Sequence, residues 1–221
     1  MTMQPYQLTF IDLALRLNAL RFGRFTLKSG RESPYFFNAG LFSDGESAAI
    51  LGRCYAAAIT ASGLRFDMLF GPAYKGIPLA TATAVALFDA HARSVPYAFN
   101  RKEAKDHGEG GQLIGAPLAG RVLIVDDVIT AGTAARESLQ LIRGAGAQPV
   151  GVALALDRQE RGQGTLTAVQ ELEQSEGLKC VSIVTLAELI EALSRPADAR
   201  ARISDEQLTA LRLYQERFGA P

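Results

Sequence analysis

The chain has 221 residues, 48% of them apolar and 21% charged, with acids and bases balanced at 23 each. This composition suits one globular domain and excludes an intrinsically disordered chain. With no net charge the molecule has no general attraction for nucleic acid or an anionic membrane surface, so any polyanion site must be a local cluster. No run approaches the ~20 apolar residues of a membrane span. The start, Met1-Thr2-Met3-Gln4-Pro5-Tyr6, lacks a basic region followed by an apolar run, and a cytoplasmic location is expected. Cys54 and Cys180 sit in apolar stretches at no metal-like spacing and are read as reduced, buried thiols.

In chain order, Phe10, Leu13, Ala14, Leu17 and Leu20 recur at helical spacing and predict a first helix, ended by Gly23. Two β-rich runs, 25–27 and 34–38, flank Ser29-Gly30 and predict a hairpin. Residues 44–62 predict a helix stopped by Gly63. From there the pattern alternates. Short apolar strands are predicted at 66–70, 95–99, 122–125, 150–156 and 180–184. Helices are predicted at 77–92, 133–143, 167–175 and 186–193, with a last amphipathic one at 205–216. Residues 100–118 are polar, glycine-rich and without periodicity, and read as a long functional loop.

Continuous apolar strands alternating with helices imply an α/β fold. The expectation is a central five-stranded parallel sheet flanked by helices, with a small N-terminal helix-plus-hairpin hood. One domain would span 1–221, with the hood in 1–45, the core in 64–195 and a C-terminal helix in 203–218. Ligands of such sheets bind at the edge where the strands end.

One strand delivers chemistry to that edge: Val122-Leu123-Ile124-Val125-Asp126-Asp127-Val128-Ile129-Thr130-Ala131-Gly132-Thr133-Ala134. A tight turn of small residues before a helix offers free backbone N–H groups to a phosphate, and Gly132 allows close approach. Two carboxylates beside a phosphate repel it unless something accounts for them. A ribose diol can donate hydrogen bonds to them, and a magnesium ion shared with a pyrophosphate suits hard oxygen donors. Diol plus phosphate points to ribose 5-phosphate. An isolated Asp-Asp pair would instead be read as a helix N-cap.

Three further segments carry candidate ligands. Gly71-Pro72-Ala73-Tyr74-Lys75-Gly76 follows the first sheet strand, and its lysine can meet a pyrophosphate. Arg101, Lys102, Lys105 and His107 fall within seven residues before Gly108, a concentrated positive patch in a neutral chain. Such a flap can close on a leaving group and exclude water. Phe36 and Phe37 sit on the hairpin, where a ring can stack on a flat heterocycle. They face opposite sides of a strand, so one ring stacks and the other packs in the core.

The Asp-Asp run resembles the phosphoribosyl diphosphate (PRPP) loop of the type I phosphoribosyltransferases. All four segments together resemble the orotate phosphoribosyltransferase family in its bacterial short form, over about residues 4–195. The resemblance implies Mg2+-dependent transfer of the phosphoribosyl group from PRPP to orotate, giving orotidine 5′-monophosphate and pyrophosphate, in de novo UMP synthesis. It implies that Phe36 and Phe37 border the orotate pocket, with Thr130 nearby, and that Lys28, Tyr74 and Lys75 contact PRPP. Arg101, Lys102, Lys105 and His107 would form a mobile loop shared between the subunits of a homodimer. Residues 126–134 would hold the ribose 5-phosphate, with Asp126, Asp127, Lys105 and His107 closest to catalysis. His107 would act as an acid or only in binding. Magnesium would be held mainly by PRPP, near Asp126 and Asp127, with no side chain assigned as a direct ligand. Arg158 would pair with the orotate carboxylate, for which a guanidinium fork is suited; from sequence alone a surface ion pair with Asp157 or Glu160 fits it equally. Two other readings compete: a phosphoribosyltransferase for a purine or uracil, and a regulator that senses PRPP. The regulator would carry an added basic DNA-binding segment, and none is visible.

Overall fold

The structure is a computed structural model that describes residues 3–27, 30–105, 111–130, 132–162, 164–195 and 203–220. Helix α1 spans Pro5–Arg16 and is followed by an antiparallel hairpin of β1 (Leu20–Thr26) and β2 (Glu32–Phe37). The helix is shorter than its apolar stripe predicts. Asn18 adopts a left-handed conformation with φ 55°, which ends the helix, and Leu20 opens the strand instead. Gly23 is not the terminator; it lies inside β1, at a bulge between Phe22 and Phe25.

Helix α2 (Gly45–Ser62) starts on an Asp44 cap, whose carboxylate accepts from the Ser47 N–H, and ends on Gly63 at φ 66°, as predicted. Then follow β3 (Met68–Gly71), α3 (Gly76–His91), β4 (Tyr97–Lys105), β5 (Gly111–Gly115), β6 (Arg121–Asp126) and α4 (Thr133–Gly144). The chain continues through β7 (Gln148–Asp157), α5 (Ala168–Glu176), β8 (Lys179–Thr185), α6 (Leu186–Leu193) and α7 (Asp205–Phe218).

The main sheet has six strands in the order β5-β4-β3-β6-β7-β8, not five. Five are parallel, and β5 runs antiparallel to β4 at the edge. The stretch read as a featureless loop is therefore partly a ladder. β4 extends to Lys105 and the chain returns along Gly111–Gly115. Polar residues suffice there because an edge ribbon is held by backbone hydrogen bonds rather than by two buried faces.

Alternation along the strands divides the core between the two faces of the sheet. Leu69, Leu123, Val125, Ala153 and Ala155 pack with α1, α2, α3, α6, α7 and the hood. Met68, Phe70, Val122, Ile124 and Val152 pack with α4 and α5. The hood is tied to the far end of the chain, since Tyr214 of α7 stacks edge-on against Tyr35 of β2, ring centroids 6.0 Å apart. Among the described residues no helix is long and apolar enough to cross a membrane.

Candidate active site

The strand order sets the site. From β3 the chain crosses to β4 on one side, and from β6 it crosses to β7 and β8 on the other. The connections diverge between β3 and β6, which opens a crevice at their carboxyl ends. The loop after β3 carries Lys75 and the loop after β6 carries Asp126 and Asp127. The two loops are drawn together by glycines. A Cβ on Gly76 would run into the Pro72 ring, the Gly71 carbonyl carbon and the Val125 carbonyl oxygen, so only glycine fits between turn and strand. The Ala73 N–H donates to Asn100 Oδ1 at 2.8 Å and ties the same turn to β4. The Ala73–Tyr74 peptide is cis.

Lys75 Nζ consequently lies 2.5 Å from Asp127 Oδ2, an ion pair in which the carboxylate is buried and the lysine half exposed. The Asp127 carbonyl accepts from the N–H groups of Ala155 and Leu156, which pins the strand end to β7. Asp126 Oδ1 accepts from the Asp127 N–H at 2.8 Å, and the buried Tyr55 hydroxyl donates to the Asp126 carbonyl at 2.7 Å. Burial, and then the neighbouring Asp127 charge, push the Asp126 carboxyl up to about 7. Among the described residues the two adjacent acids meet one ammonium, that of Lys75. Asp127 takes it, and Asp126 is left as the group that retains a proton.

Beyond the pair, Val128, Ile129 and Thr130 lead to Gly132, which is left-handed at φ 72° and precedes the first turn of α4. Thr133 and Ala134 open that helix, and its N-cap makes no side-chain cap hydrogen bond, so its first N–H groups have no side-chain cap. Tyr74 is 69% exposed, and Lys102 Nζ lies 5.0 Å from its ring centroid, which brings the β4 cations over the Lys75 turn. Arg101 and Lys102 belong to β4. Lys105 closes that strand, but its side chain, together with Lys28, His107 and Ala131, lies outside the described residues.

The two phenylalanines divide as the strand period requires. Phe37 is buried against Phe10 and Phe42. Phe36 is half-buried on the other face, its ring 5.6 Å from that of Phe25 and under the Arg21 guanidinium. Arg158 follows β7 and is largely withdrawn from the surface, its side chain 10% exposed. Its guanidinium lies 4.5 Å over the Tyr35 ring, and its Nε donates to Glu160 Oε1 at 2.8 Å. Tyr35 shares the Phe37 face of β2, so Arg158 and the Phe36 ring approach that strand from opposite sides. Tyr55, Asn100, Tyr35 and Glu160 all position site elements and were not picked out from the sequence as site residues. Each acts across a long stretch of chain, as with Tyr35 and Glu160, which stand 125 positions apart, and no local spacing marks such a pair.

An acidic pair ends a parallel strand, a lysine reaches it from the neighbouring strand end, and a left-handed glycine precedes the following helix, all within the α/β architecture of a type I phosphoribosyltransferase fold. The phosphoribosyl transferase domain family matches residues 42–163 of the chain. The orotate phosphoribosyltransferase of Thioalkalivibrio sulfidiphilus is 61% identical over 217 residues, covering 98% of this chain and 100% of the relative. The crystal structure of the Francisella tularensis orotate phosphoribosyltransferase superposes with a TM-score of 0.83 at 38% identity, over 96% of this chain and 99% of that one. The Mycobacterium tuberculosis orotate phosphoribosyltransferase in complex with PRPP superposes at 0.62 with 27% identity, over 84% and 99%. This chain belongs to the orotate phosphoribosyltransferase family and is an enzyme of pentosyl transfer.

Proposed function

We propose that the chain transfers the 5-phosphoribosyl group of PRPP to a ring nitrogen of orotate, releasing orotidine 5′-monophosphate and pyrophosphate, in the cytoplasmic synthesis of UMP. The observation that carries this reading is the meeting of Lys75 with Asp126 and Asp127 at the crevice between β3 and β6. The anomeric C–O bond breaks ahead of formation of the C–N bond, so positive charge grows on the ribose and negative charge on pyrophosphate. Asp126 and Asp127 accept hydrogen bonds from the ribose diol and favour the growing positive charge. The turn from Val128 to Ala134 holds the 5-phosphate on its N–H groups. Lys75 exchanges Asp127 for the pyrophosphate, and Lys28 and Tyr74 complete that side.

Arg101, Lys102, Lys105 and His107 close on the pyrophosphate, with Lys105 contributing most where charge develops. Orotate lies against β2 at Phe36 and Phe37, near Thr130, with its carboxylate on Arg158. The hood sheet has two strands, so β2 has a second backbone edge for the base. Phe37 contributes backbone there, since its ring is in the core.

Among the described residues no group of three or more His, Cys, Asp or Glu comes together, and Asp127 already holds Lys75. Magnesium fits here as an ion carried by the oxygens of PRPP beside the acidic pair, with no side chain as direct ligand. When bound it neutralises charge on the pyrophosphate. The working unit we propose is a homodimer whose cationic loop serves the partner's site. Support comes from α3, which exposes Val85 (56%) and Phe88 (61%) one turn apart.

Competition binding with orotate, uracil and hypoxanthine in the presence of PRPP tests the acceptor: orotate should bind, and preference for either of the others would refute the reading. Lys105→Ala should lower kcat far more than it weakens PRPP binding. Near-normal turnover would remove Lys105 from the mechanism.

A further inference from the structure

Among the described residues two buried side-chain polar atoms lack a partner in hydrogen-bond geometry, Arg158 Nη2 and the Tyr214 hydroxyl, although the latter lies close enough to Glu160 and Ser33 to be influenced by both. Both belong to one cluster, built around Glu160 beneath the hood. Glu160 Oε1 accepts from Arg158 Nε at 2.8 Å and from the Tyr35 hydroxyl at 3.4 Å, and Arg31 Nη1 lies 3.2 Å from Oε2. Arg158 Nη2 is 2.6 Å from Oε1, but outside the direction a hydrogen bond requires. The side chains of Arg158, Glu160 and Arg31 are only 10%, 14% and 24% exposed. One carboxylate therefore faces two guanidinium groups, and neither arginine has an ion pair with a second carboxylate among the described residues. A surplus positive charge under the hood is costly unless an anion joins it.

The geometry of the guanidinium shows which anion it suits. Arginine offers two bidentate edges, one through Nε and Nη2 and one through Nη1 and Nη2. Glu160 occupies the first, and the Tyr35 ring fixes the guanidinium plane from below. No second carboxylate takes the other edge among the described residues, and its Nη2 is buried without a hydrogen-bond partner. The Glu160 backbone is itself held. It bridges to Gly219, the Arg161 N–H donates to the Phe218 carbonyl at 2.8 Å, and the Ala220 N–H donates to the Gln159 carbonyl at 3.2 Å. The end of α7 thus staples the loop that carries Arg158, while Tyr214 backs Tyr35.

We propose that Glu160 is a positioning residue for acceptor specificity: it holds Arg158 by one guanidinium edge and turns the other toward the carboxylate of the acceptor. This rests on the reading of Arg158 as the partner of the orotate carboxylate. Glu160→Gln keeps the shape of the side chain and removes its charge. It should raise KM for orotate about 10-fold and leave KM for PRPP within about two-fold. Added to Arg158→Ala, it should change KM for orotate no further, because the group it positions is gone.

If Arg158→Ala raises KM for orotate and Glu160→Gln does not, the role of Glu160 is overturned while the Arg158 reading stands. If Arg158→Ala itself leaves KM for orotate unchanged, that reading fails and the proposal fails with it. A lower KM for orotate in Glu160→Gln would make Glu160 a competitor of the acceptor and overturn the proposal. Should Glu160→Gln melt below the assay temperature, Glu160→Asp takes its place. The same split between the two KM values is expected, and equal changes in both would refute a positioning role.

Discussion

Asp126 keeps a proton up to about pH 7, because it is buried beside the Asp127 charge, and the Lys75 ammonium is paired with Asp127. If Asp126 accepts from the ribose diol as proposed, binding of PRPP selects its ionised form, since a diol donates to carboxylate. Affinity should then fall by the factor 1 + 10^(pKa − pH). With a value of about 7 this factor is about 11 at pH 6 and about 1.1 at pH 8, so binding weakens about 10-fold between the two. PRPP has its own titration, since phosphate groups lose a second proton at about pH 6. The comparison is therefore with Asp126→Asn, which shares the ligand's titration and keeps an oxygen for the Asp127 N–H. Titration calorimetry with PRPP and magnesium at pH 6, 7 and 8 reads the difference. The wild-type chain should show about 10-fold more pH dependence than the variant, with a proton released on binding at pH 6. Parallel pH profiles in the two proteins would refute the assignment of the proton to Asp126.

The same group affects folding stability. Its folded value lies above that of an unfolded aspartate, so the folded state holds the extra proton between about pH 4 and about pH 7 and loses stability as pH rises through that window. Asp126→Asn should accordingly raise the melting temperature relative to wild type at pH 8 and leave it nearly unchanged at pH 4.5; equal effects at both would contradict this. Phe37→Ala removes a buried ring and should cost about 3–5 kcal/mol in urea unfolding. Phe36→Ala should cost only about 1 kcal/mol and raise KM for orotate instead, and the reverse pattern would invert the two faces of β2. Tyr55→Phe removes the hydrogen bond to the Asp126 carbonyl from a residue 1% exposed, and should cost about 1–2 kcal/mol by the same measurement.

The parallel core was legible because buried strands are written as unbroken apolar runs, as in Val122-Leu123-Ile124-Val125, and helices end on left-handed glycines such as Gly63. The acidic pair was legible because its chemistry is local: strand end, tight turn and helix start are consecutive in sequence. The edge strand β5 was not, since an exposed ribbon needs no apolar signature. Nor was the end of α1, where a single left-handed Asn18 outweighs a helical stripe that continues to Leu20. The Lys75–Asp127 pair, the Asn100 brace and the Glu160 cluster were hidden for a third reason. They join residues 52, 27 and up to 129 positions apart, and the strand order, rather than any spacing in the sequence, brings them together.

The central claim is that this crevice joins PRPP to orotate. Incubating the protein with PRPP, magnesium and orotate while following the ultraviolet absorbance of orotate tests it most directly. Absorbance should fall only when all three are present, with one pyrophosphate released for each orotate consumed. Unchanged absorbance from a folded protein, with turnover of uracil or hypoxanthine instead, would contradict it.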